Sequence, residues 1–281
     1  MSLPIPVRHL VCGRFTLELK RPLIMGVVNV TPDSFSDGGQ FAAPQPAIEH
    51  ALQLLAEGAD ILDIGGESTR PGAAPVSPQQ ELDRIAPVLE GLRGCGRPLS
   101  VDTRRVEVMQ AAIEQGADMI NDITALQAPG ALAAVAAAGC AVCLMHMQGE
   151  PATMQQAPVY QEVVSEVEEF LQARVQALLA AGIARERIVI DPGIGFGKTA
   201  RHNLALLAAL DELSTLGQPV LLGVSRKSLI GELTGRAVEQ RLAGSLAAML
   251  AGVARGAAIV RVHDVAATRD ALAVWQAIEN A

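Results

Sequence analysis

The chain contains 281 residues, of which 50% are hydrophobic and only 2% aromatic, and its formal net charge is −8 at pH 7. An acidic chain with a pI of about 5.2 is not a general binder of nucleic acid or of anionic membranes. Any anionic ligand must therefore be held by a local cluster of Lys and Arg. The four cysteines are too few for a disulfide scaffold, and the Cys140–Cys143 pair lies in an apolar run that favours core residues over metal or redox chemistry.

The sequence contains no feature of a secreted or membrane-embedded protein. Its N-terminal segment lacks a signal-peptide core, and no apolar tract reaches the roughly 20 residues that a membrane span requires. We therefore expect a cytoplasmic protein whose partners are neither membranes nor nucleic acids.

Short apolar runs alternate with helical stretches along the chain, after a predicted hairpin at residues 11–19 around Gly13. The runs predict eight strands, at 23–29, 60–65, 98–102, 118–122, 140–146, 187–191, 220–224 and 258–262. Helices are predicted at 45–57, from an N-cap at Ser77, at 104–115, 129–138, 160–181, from an N-cap at Asn203 to 211, at 239–255 and at 268–279. Eight such units predict an α/β fold of the (β/α)8 TIM barrel type rather than an open sheet. We expect a single barrel domain at 23–281 with an N-terminal hairpin extension at 1–22.

The first predicted strand illustrates how this fold presents chemistry. Its apolar run, Ile24 to Val28, breaks at Asn29 into a polar segment that ends at Gly38 and Gly39. Such a segment cannot continue a strand. In α/β proteins the loops that follow the carboxyl ends of strands carry the active site.

Polar residues that a core would exclude follow each of the eight predicted strands. In chain order they are Asn29, Glu67 to Arg70, Asp102, Asn121 with Asp122, His146, Asp191, Ser225 to Ser228, and Arg261 with His263. Any one of them could be a core polar group or a helix cap, and that interpretation stays open for Asp122, His146 and Asp264. Eight in phase indicate the rim of a barrel active site.

The chemistry of these residues falls into three groups. Asp102, Asn121 and Asp191 are rich in acceptors and suit a flat, neutral heterocycle with several N–H donors. The cationic residues suit a phosphate-bearing group; they are Arg70, Lys227, Arg261 and His263. Asn29 offers a hard oxygen ligand to Mg²⁺, and a helix that begins at Ser228 would offer N–H groups to a carboxylate.

The segment from Gly193 to Thr199 looks like a nucleotide-binding loop but fails both patterns. Pro192 stands where the P-loop needs a glycine, and the dinucleotide fingerprint breaks at Lys198. We interpret the segment as a turn whose glycines let a ligand approach closely.

Taken together, the motifs resemble the dihydropteroate synthase family, the pterin-binding barrel of folate biosynthesis. The matching segments occur in family order from the first strand to the eighth: NVTPDSFSDGG (29–39), DIGGESTRPGA (63–73), SVDT (100–103), INDI (120–123), MHMQG (145–149), IDPGIGFGKT (190–199), GVSRKS (223–228) and RVHDV (261–265). The resemblance implies a transferase that condenses 6-hydroxymethyl-7,8-dihydropterin diphosphate with para-aminobenzoate, giving 7,8-dihydropteroate and pyrophosphate.

The resemblance also implies a role for individual residues. The pterin is expected to contact Asp102, Asn121, Met145, Asp191 and Lys227, and the diphosphate to contact Asn29, Arg70, Arg261 and His263, with Mg²⁺ at Asn29. The aminobenzoate pocket, where sulfonamides compete, is expected to contain Phe35, Thr69, Pro71, Phe196, Lys227 and Ser228. Two loops, at 30–39 and 68–72, are expected to close over the site. The residues expected to take part in catalysis are Lys227, Arg261, Asp102 and Asp191. A homodimer is implied as well.

Three rival functions remain open at this point. A barrel that binds methyltetrahydrofolate and passes its methyl group to a cobalamin partner shares the pterin acceptors, but it would not need the diphosphate-binding residues. A non-catalytic pterin-binding paralogue would not need an intact rim. A phosphosugar barrel enzyme would not need three acceptor side chains at the floor.

Overall fold

The computed structural model describes residues 8–31, 44–68 and 75–281. The strands of this part of the chain are β1 (His9–Cys12), β2 (Phe15–Glu18), β3 (Leu23–Asn29), β4 (Ile61–Gly65), β5 (Leu99–Asp102), β6 (Met119–Asp122), β7 (Ala141–Met145), β8 (Ile188–Asp191), β9 (Val220–Leu222) and β10 (Ala257–Val262). Its helices are α1 (Pro44–Glu57), α2 (Pro78–Gly91), α3 (Val106–Glu114), α4 (Ala131–Ala136), α5 (Val163–Ala180), α6 (Ala200–Ala208), α7 (Leu210–Ser214), α8 (Ser228–Thr234), α9 (Leu242–Val253) and α10 (Val265–Glu279).

Strands β3 to β10 form a closed parallel barrel in which chain neighbours pair and β10 closes onto β3. The predicted (β/α)8 barrel and the N-terminal hairpin are therefore confirmed. All eight predicted barrel strands are present, with ends shifted by a residue or two. Within the described ranges no helix is both long and apolar enough to cross a membrane.

Helix boundaries were predicted less well than strands. Ser77 caps α2 as predicted, through a reciprocal pair of bonds with Gln80. The prediction for α6 was wrong, because Thr199 and not Asn203 is the N-cap. Asn203 lies inside that helix, where its side chain accepts from the backbone N–H of Gly195 at 2.8 Å. The helices predicted at 129–138, 160–181 and 239–255 are each shorter than expected, at Ala131–Ala136, Val163–Ala180 and Leu242–Val253.

The interior of the barrel has two levels. The lower level is an apolar cluster made of Leu10, Cys12, Leu23, Met25, Ile61, Met119, Ala141, Cys143, Val189, Leu221 and Ile259. Leu10 and Cys12 come from β1, so the hairpin plugs the amino-terminal end of the barrel. Arg21 fixes the start of β3 through two bonds to Asp60, at 2.8 and 2.7 Å. Most polar side chains of the barrel strands lie at the upper level and at the carboxyl-terminal rim.

The Cys140–Cys143 pair lies in the core of the barrel. Both thiols are free and buried, and burial raises the pKa of each. The interpretation as core residues is confirmed.

Candidate active site

The upper level is formed by inward-facing residues at the carboxyl ends of neighbouring strands. Register pairs Gly65 of β4 with Asn29 on one side and with Asp102 on the other. Asp102 in turn pairs with Asn121, and Met145 pairs with Asp191. Parallel strands therefore bring Asn29, Asp102, Asn121, Met145 and Asp191 to one end of the barrel, as expected from the fold.

Arg261 connects three strands across this floor. From β10, its Nε donates to Oδ2 of Asp63 at 2.6 Å and its Nη2 donates to Oδ2 of Asp102 at 2.8 Å. Asn121 donates from Nδ2 to the same oxygen of Asp63, at 3.1 Å. One guanidinium, two carboxylates and one amide thus form a continuous network.

The charges of this floor follow from burial. Burial raises the pKa of Asp102 to about 7, although Arg261 acts in the opposite direction. Burial also raises the pKa of Asp191, whose Oδ1 accepts from the N–H of Gly193 at 2.7 Å. For Arg261, burial acts to lower the pKa, but Asp63 and Asp102 outweigh it and the pKa is raised. The floor therefore combines a permanent cation with carboxyl groups that readily hold a proton or respond to a positive ligand.

Lys198 connects the rim loop that follows β8 with the rim loop that follows β7. Its buried Nζ lies 2.9 Å from Nδ1 of His146 and donates at 3.0 Å to the carbonyls of both Gly193 and Phe196. Burial lowers the pKa of Lys198 to about 7. The loop after β8 is therefore fixed to the loop after β7 by one side chain.

The glycines of this loop serve backbone packing. Gly193 has φ of +68°, and a Cβ there would collide with the carbonyl oxygen of His146. A Cβ at Gly197 would likewise collide with the backbone of Gln148. Both glycines allow the two loops to lie against each other, whereas the sequence suggested that they make room for a ligand. Gly195 lies against a side chain instead, since a Cβ there would be 3.2 Å from Cδ of Lys227.

His146 belongs to this packing. Burial lowers its pKa to about 3, with Lys198 adding to the effect, so its imidazole is neutral and Nδ1 can accept from the ammonium. Its ring packs edge-on against Phe170, with centroids 4.9 Å apart. Of the two interpretations left open for His146, the structure favours the core histidine.

Lys227 and Phe196 lie together at the predicted aminobenzoate wall. Nζ of Lys227 stands 4.1 Å from the centroid of the Phe196 ring, a cation–π distance. Lys227 occupies the N-cap position of α8, which begins at Ser228 as the sequence suggested. A cation, an aromatic face and an exposed hydroxyl thus border the mouth at one point.

The remaining rim residues divide between the site and the scaffold. Nδ1 of His263 lies 3.0 Å from Oγ of Ser225. Asp122 caps its own loop, accepting from the N–H groups of Thr124 and Leu126 at 2.8 and 2.7 Å. Asp122 is therefore a satisfied core polar group, as one of the two structural interpretations had it, and not a helix cap. Asp264 makes no side-chain cap; it accepts two bonds from Arg226, at 3.0 and 2.6 Å.

Arg105 joins the two chain ends that flank residues 69–74. Its Nη2 donates to Glu67 at 2.8 Å and also contacts the carbonyl of Val76. Its Nε lies 3.0 Å from the fully buried carboxyl group of Glu81, whose pKa burial raises. The residues Phe35, Thr69, Arg70 and Pro71 fall outside the described ranges, as do most of the two predicted loops, so their placement stays a prediction.

A sequence model of the family described as pterin binding enzyme matches residues 25–263. The chain belongs to this family. Among curated members, the dihydropteroate synthase of Neisseria meningitidis serogroup B is 57% identical over 273 residues, covering 95% of this chain and 96% of the relative. Two solved structures of the dihydropteroate synthase of Xanthomonas albilineans are also similar. The one with 4-aminobenzoic acid has a TM-score of 0.92 at 54% identity and covers 98% of this chain and 99% of that chain. The one in complex with 7,8-dihydropteroate has a TM-score of 0.89 at 53% identity and covers 97% of this chain and 99% of that chain.

Three residues that organise the site in this pterin binding family member were not predicted from the sequence. Asp63 could have been recognised from the sequence, because an ionisable residue in the middle of an apolar strand indicates a buried polar contact. No local pattern indicates the roles of Lys198 and Arg105, since both act through contacts between distant loops.

Proposed function

We propose that the protein condenses 6-hydroxymethyl-7,8-dihydropterin diphosphate with para-aminobenzoate, forming 7,8-dihydropteroate and pyrophosphate. The observation that carries this function is the floor network, in which Arg261 bonds Asp102 and Asp63 and Asn121 bonds Asp63, at one end of a barrel of the pterin binding family. Asp191 lies at the same end, two strands from Asn121. Acceptors below and a cation beside them fit a donor-rich ring that carries an anionic leaving group.

The reaction needs one bond to break and one to form. The C–O bond between the pterin methylene carbon and the diphosphate breaks with its electron pair leaving on oxygen, and the electron-rich dihydropterin shares the positive charge. The carboxyl groups of Asp102 and Asp191 favour that charge when they are ionised, and Arg261 faces the departing anion. The amine of para-aminobenzoate then forms the C–N bond and loses a proton.

No covalent bond to the chain is required by this sequence of steps. Cys140 lies at the start of β7 and Cys143 within it. Both thiols are buried and have raised pKa values, so they are poorly suited to act as nucleophiles. Exclusion of water from the mouth protects the cation, which is the role assigned to the loops at 30–39 and 68–72.

Mg²⁺ is part of the proposal. Among the described residues there is no group of three acidic, His or Cys side chains that could hold a metal by themselves. Mg²⁺ usually keeps several waters and takes one or two protein oxygens plus phosphate oxygens, so a single amide oxygen at Asn29 fits it. Asn29 and Asp102 flank Gly65 at the carboxyl end of β4. A Cβ placed on Gly65 would lie 4.0 Å from Oδ1 of Asn29 and 3.6 Å from Cβ of Asp102, so the two side chains lie at about the same level. The ion would neutralise charge on the diphosphate.

The aminobenzoate is assigned to the mouth beside Phe196, Lys227 and Ser228, with Phe35, Thr69 and Pro71 completing the pocket. The pairing of Lys227 with the Phe196 ring supports this assignment, because a cation beside an aromatic face suits an aromatic carboxylate. Sulfonamides would compete here. Arg70 and His263 are assigned to the diphosphate together with Arg261.

A cytoplasmic homodimer is the assembly we propose. Support comes from apolar side chains that the late helices leave exposed, among them Leu233, Leu242, Val274 and Ile278. Light scattering should give a mass near twice the 29.3 kDa chain at all working concentrations. A monomer at high concentration would contradict the dimer.

The function is tested by pyrophosphate release from the purified protein with dihydropterin diphosphate, para-aminobenzoate and Mg²⁺, each omitted in turn. We expect dihydropteroate only when both substrates are present. Pterin binding without turnover would instead favour the non-catalytic paralogue or the methyl-carrier barrel. Unchanged turnover in Lys227→Ala and Arg261→Ala would exclude the roles assigned to those two residues.

A further inference from the structure

Asp63 is the least accessible ionisable residue of the floor network. Its side chain is 0% exposed in the middle of β4. One oxygen, Oδ2, accepts from Arg261 at 2.6 Å and from Asn121 at 3.1 Å. The other oxygen is buried and has no hydrogen-bond partner among the described residues. A carboxylate with this much burial and two donors on one oxygen is placed to orient its neighbours.

The contact with Asn121 fixes which way that amide faces. An ionised carboxylate only accepts hydrogen bonds, so the amide must turn its nitrogen toward Asp63. The reversed amide would bring two acceptor oxygens to about the same 3.1 Å and would be repelled. The amide oxygen of Asn121 is therefore directed away from Asp63.

Asn121 lies between two other acceptors. Its strand position is level with Asp102 on β5 and with Cys143 on β7, and Asp191 stands on the next strand but one. When the amide oxygen of Asn121 faces the mouth, the side chains of Asp102, Asn121 and Asp191 all present acceptors to a ligand. If the amide were reversed, its nitrogen would present a donor between the two carboxyl groups.

We propose that Asp63 is a positioning residue that locks the Asn121 amide, so that the floor selects heterocycles by their N–H donors. This inference rests on the proposed function and deepens it, because it assigns the choice of ring to a residue beneath the ligand-contacting layer. An alternative role, in which Asp63 serves only as counterion to Arg261, makes a different prediction, since it would affect rings with and without that donor equally.

The test compares two probes that differ at one edge. 6-Hydroxymethylpterin carries an amino donor at ring position 2 beside an unprotonated N1, and 6-hydroxymethyllumazine carries a carbonyl acceptor there beside an N1–H. Neither has a diphosphate, so any loosening of Arg261 cancels in the ratio of their dissociation constants. Asp63→Leu removes the oxygen that accepts from both Arg261 and Asn121, which releases the amide of Asn121. We expect the preference for the pterin to fall about tenfold, the usual worth of one buried hydrogen bond.

Asp122→Leu is the matched control. Asp122 is a fully buried carboxyl group on β6, the strand that carries Asn121, but its bonds go to Thr124 and Leu126 of its own loop. The control should lower thermal stability and leave the preference for the pterin unchanged. An equal fall in both variants would overturn the proposal, and so would an unchanged preference in folded Asp63→Leu.

A second variant covers the case in which Asp63→Leu does not fold. Asn121→Leu removes the amide itself and should lower the preference for the pterin by about the same factor of ten. Full retention of the preference in Asn121→Leu would overturn the proposal without reference to Asp63. In the double variant, Asp63→Leu should add nothing to the effect of Asn121→Leu on the ratio. If the unsubstituted protein binds neither probe, it is the proposed function that fails, which separates the two outcomes.

Discussion

Replacing Arg261 by methionine would remove the cation that contacts both Asp63 and Asp102. The side chains of Asp63, Asp102 and Arg261 are 0%, 17% and 21% exposed, so solvent does little to replace the lost charge. Removing one partner of a buried ion pair usually costs about 3–5 kcal/mol. Because Asp102 retains some contact with solvent, we expect the free energy of unfolding to fall by about 3 kcal/mol at pH 8.5.

The same substitution at Arg226 is a close control. Arg226 likewise makes two bonds to carboxylate oxygens, though both belong to Asp264, and these two side chains are 41% and 22% exposed. Exposed pairs of this kind contribute about 0–1 kcal/mol. The same number of bonds and unequal burial therefore predict different losses from Arg226→Met and Arg261→Met.

The loss in Arg261→Met should also depend on pH. Burial already raises the pKa of Asp102 to about 7, and loss of the cation raises it further. A carboxyl group whose folded pKa lies above its unfolded value destabilises the folded state as pH rises through that range. Urea unfolding should therefore show a smaller difference between Arg261→Met and the unsubstituted protein at pH 5 than at pH 8.5. Equal losses at both pH values, or equal losses in the two arginine variants, would refute the burial argument.

Three further changes give independent tests. Lys198→Met removes four hydrogen bonds, to Nδ1 and the carbonyl of His146 and to the carbonyls of Gly193 and Phe196, and should lower the free energy of unfolding by about 2–4 kcal/mol in urea. Because the loop of Phe196 loosens, KM should rise more for para-aminobenzoate than for the pterin, and equal KM changes would contradict the link between the two loops. Leu10→Ala, at 0% exposure in the plug, should cost about 2–5 kcal/mol and leave kcat unchanged at a temperature where the variant is folded; a fall in kcat would show that the two ends of the barrel are coupled. Asp102, with its pKa near 7, should make kcat/KM rise as pH passes through about 7, since its ionised form favours the cation, and Asp102→Asn should lack this rise.

The sequence predicted the barrel because its signal is local and repeated. Each barrel strand is a short apolar run between turn residues, and β3 has the predicted bounds of Leu23–Asn29. Helix ends were harder, because several residues near a boundary can cap it. Thr199 is the N-cap because its side chain accepts a hydrogen bond from the N–H of His202. The side chain of Asn203 accepts from the N–H of Gly195 instead.

The positions of the rim residues could be predicted from the sequence, but the contacts between them could not. Each lies at or next to the end of a strand and could therefore be assigned to one end of the barrel; they are Asp102, Asn121, Asp191 and Arg261. Nothing local indicated that Arg261 would reach the middle of β4, 198 residues away in the chain, to meet Asp63. The contacts of Lys198 with the loop after β7 were hidden for the same reason.

The hairpin plug makes the barrel a tube with one blind end. The described side chains of the lower level are almost all apolar, so we expect water and hydronium to reach the floor carboxyl groups from the rim. The dihydropterin ring of the proposed reaction would cover Asp102 and Asp191 and slow their exchange of protons with solvent. The protonation state of both carboxyl groups would then be set when the ring binds.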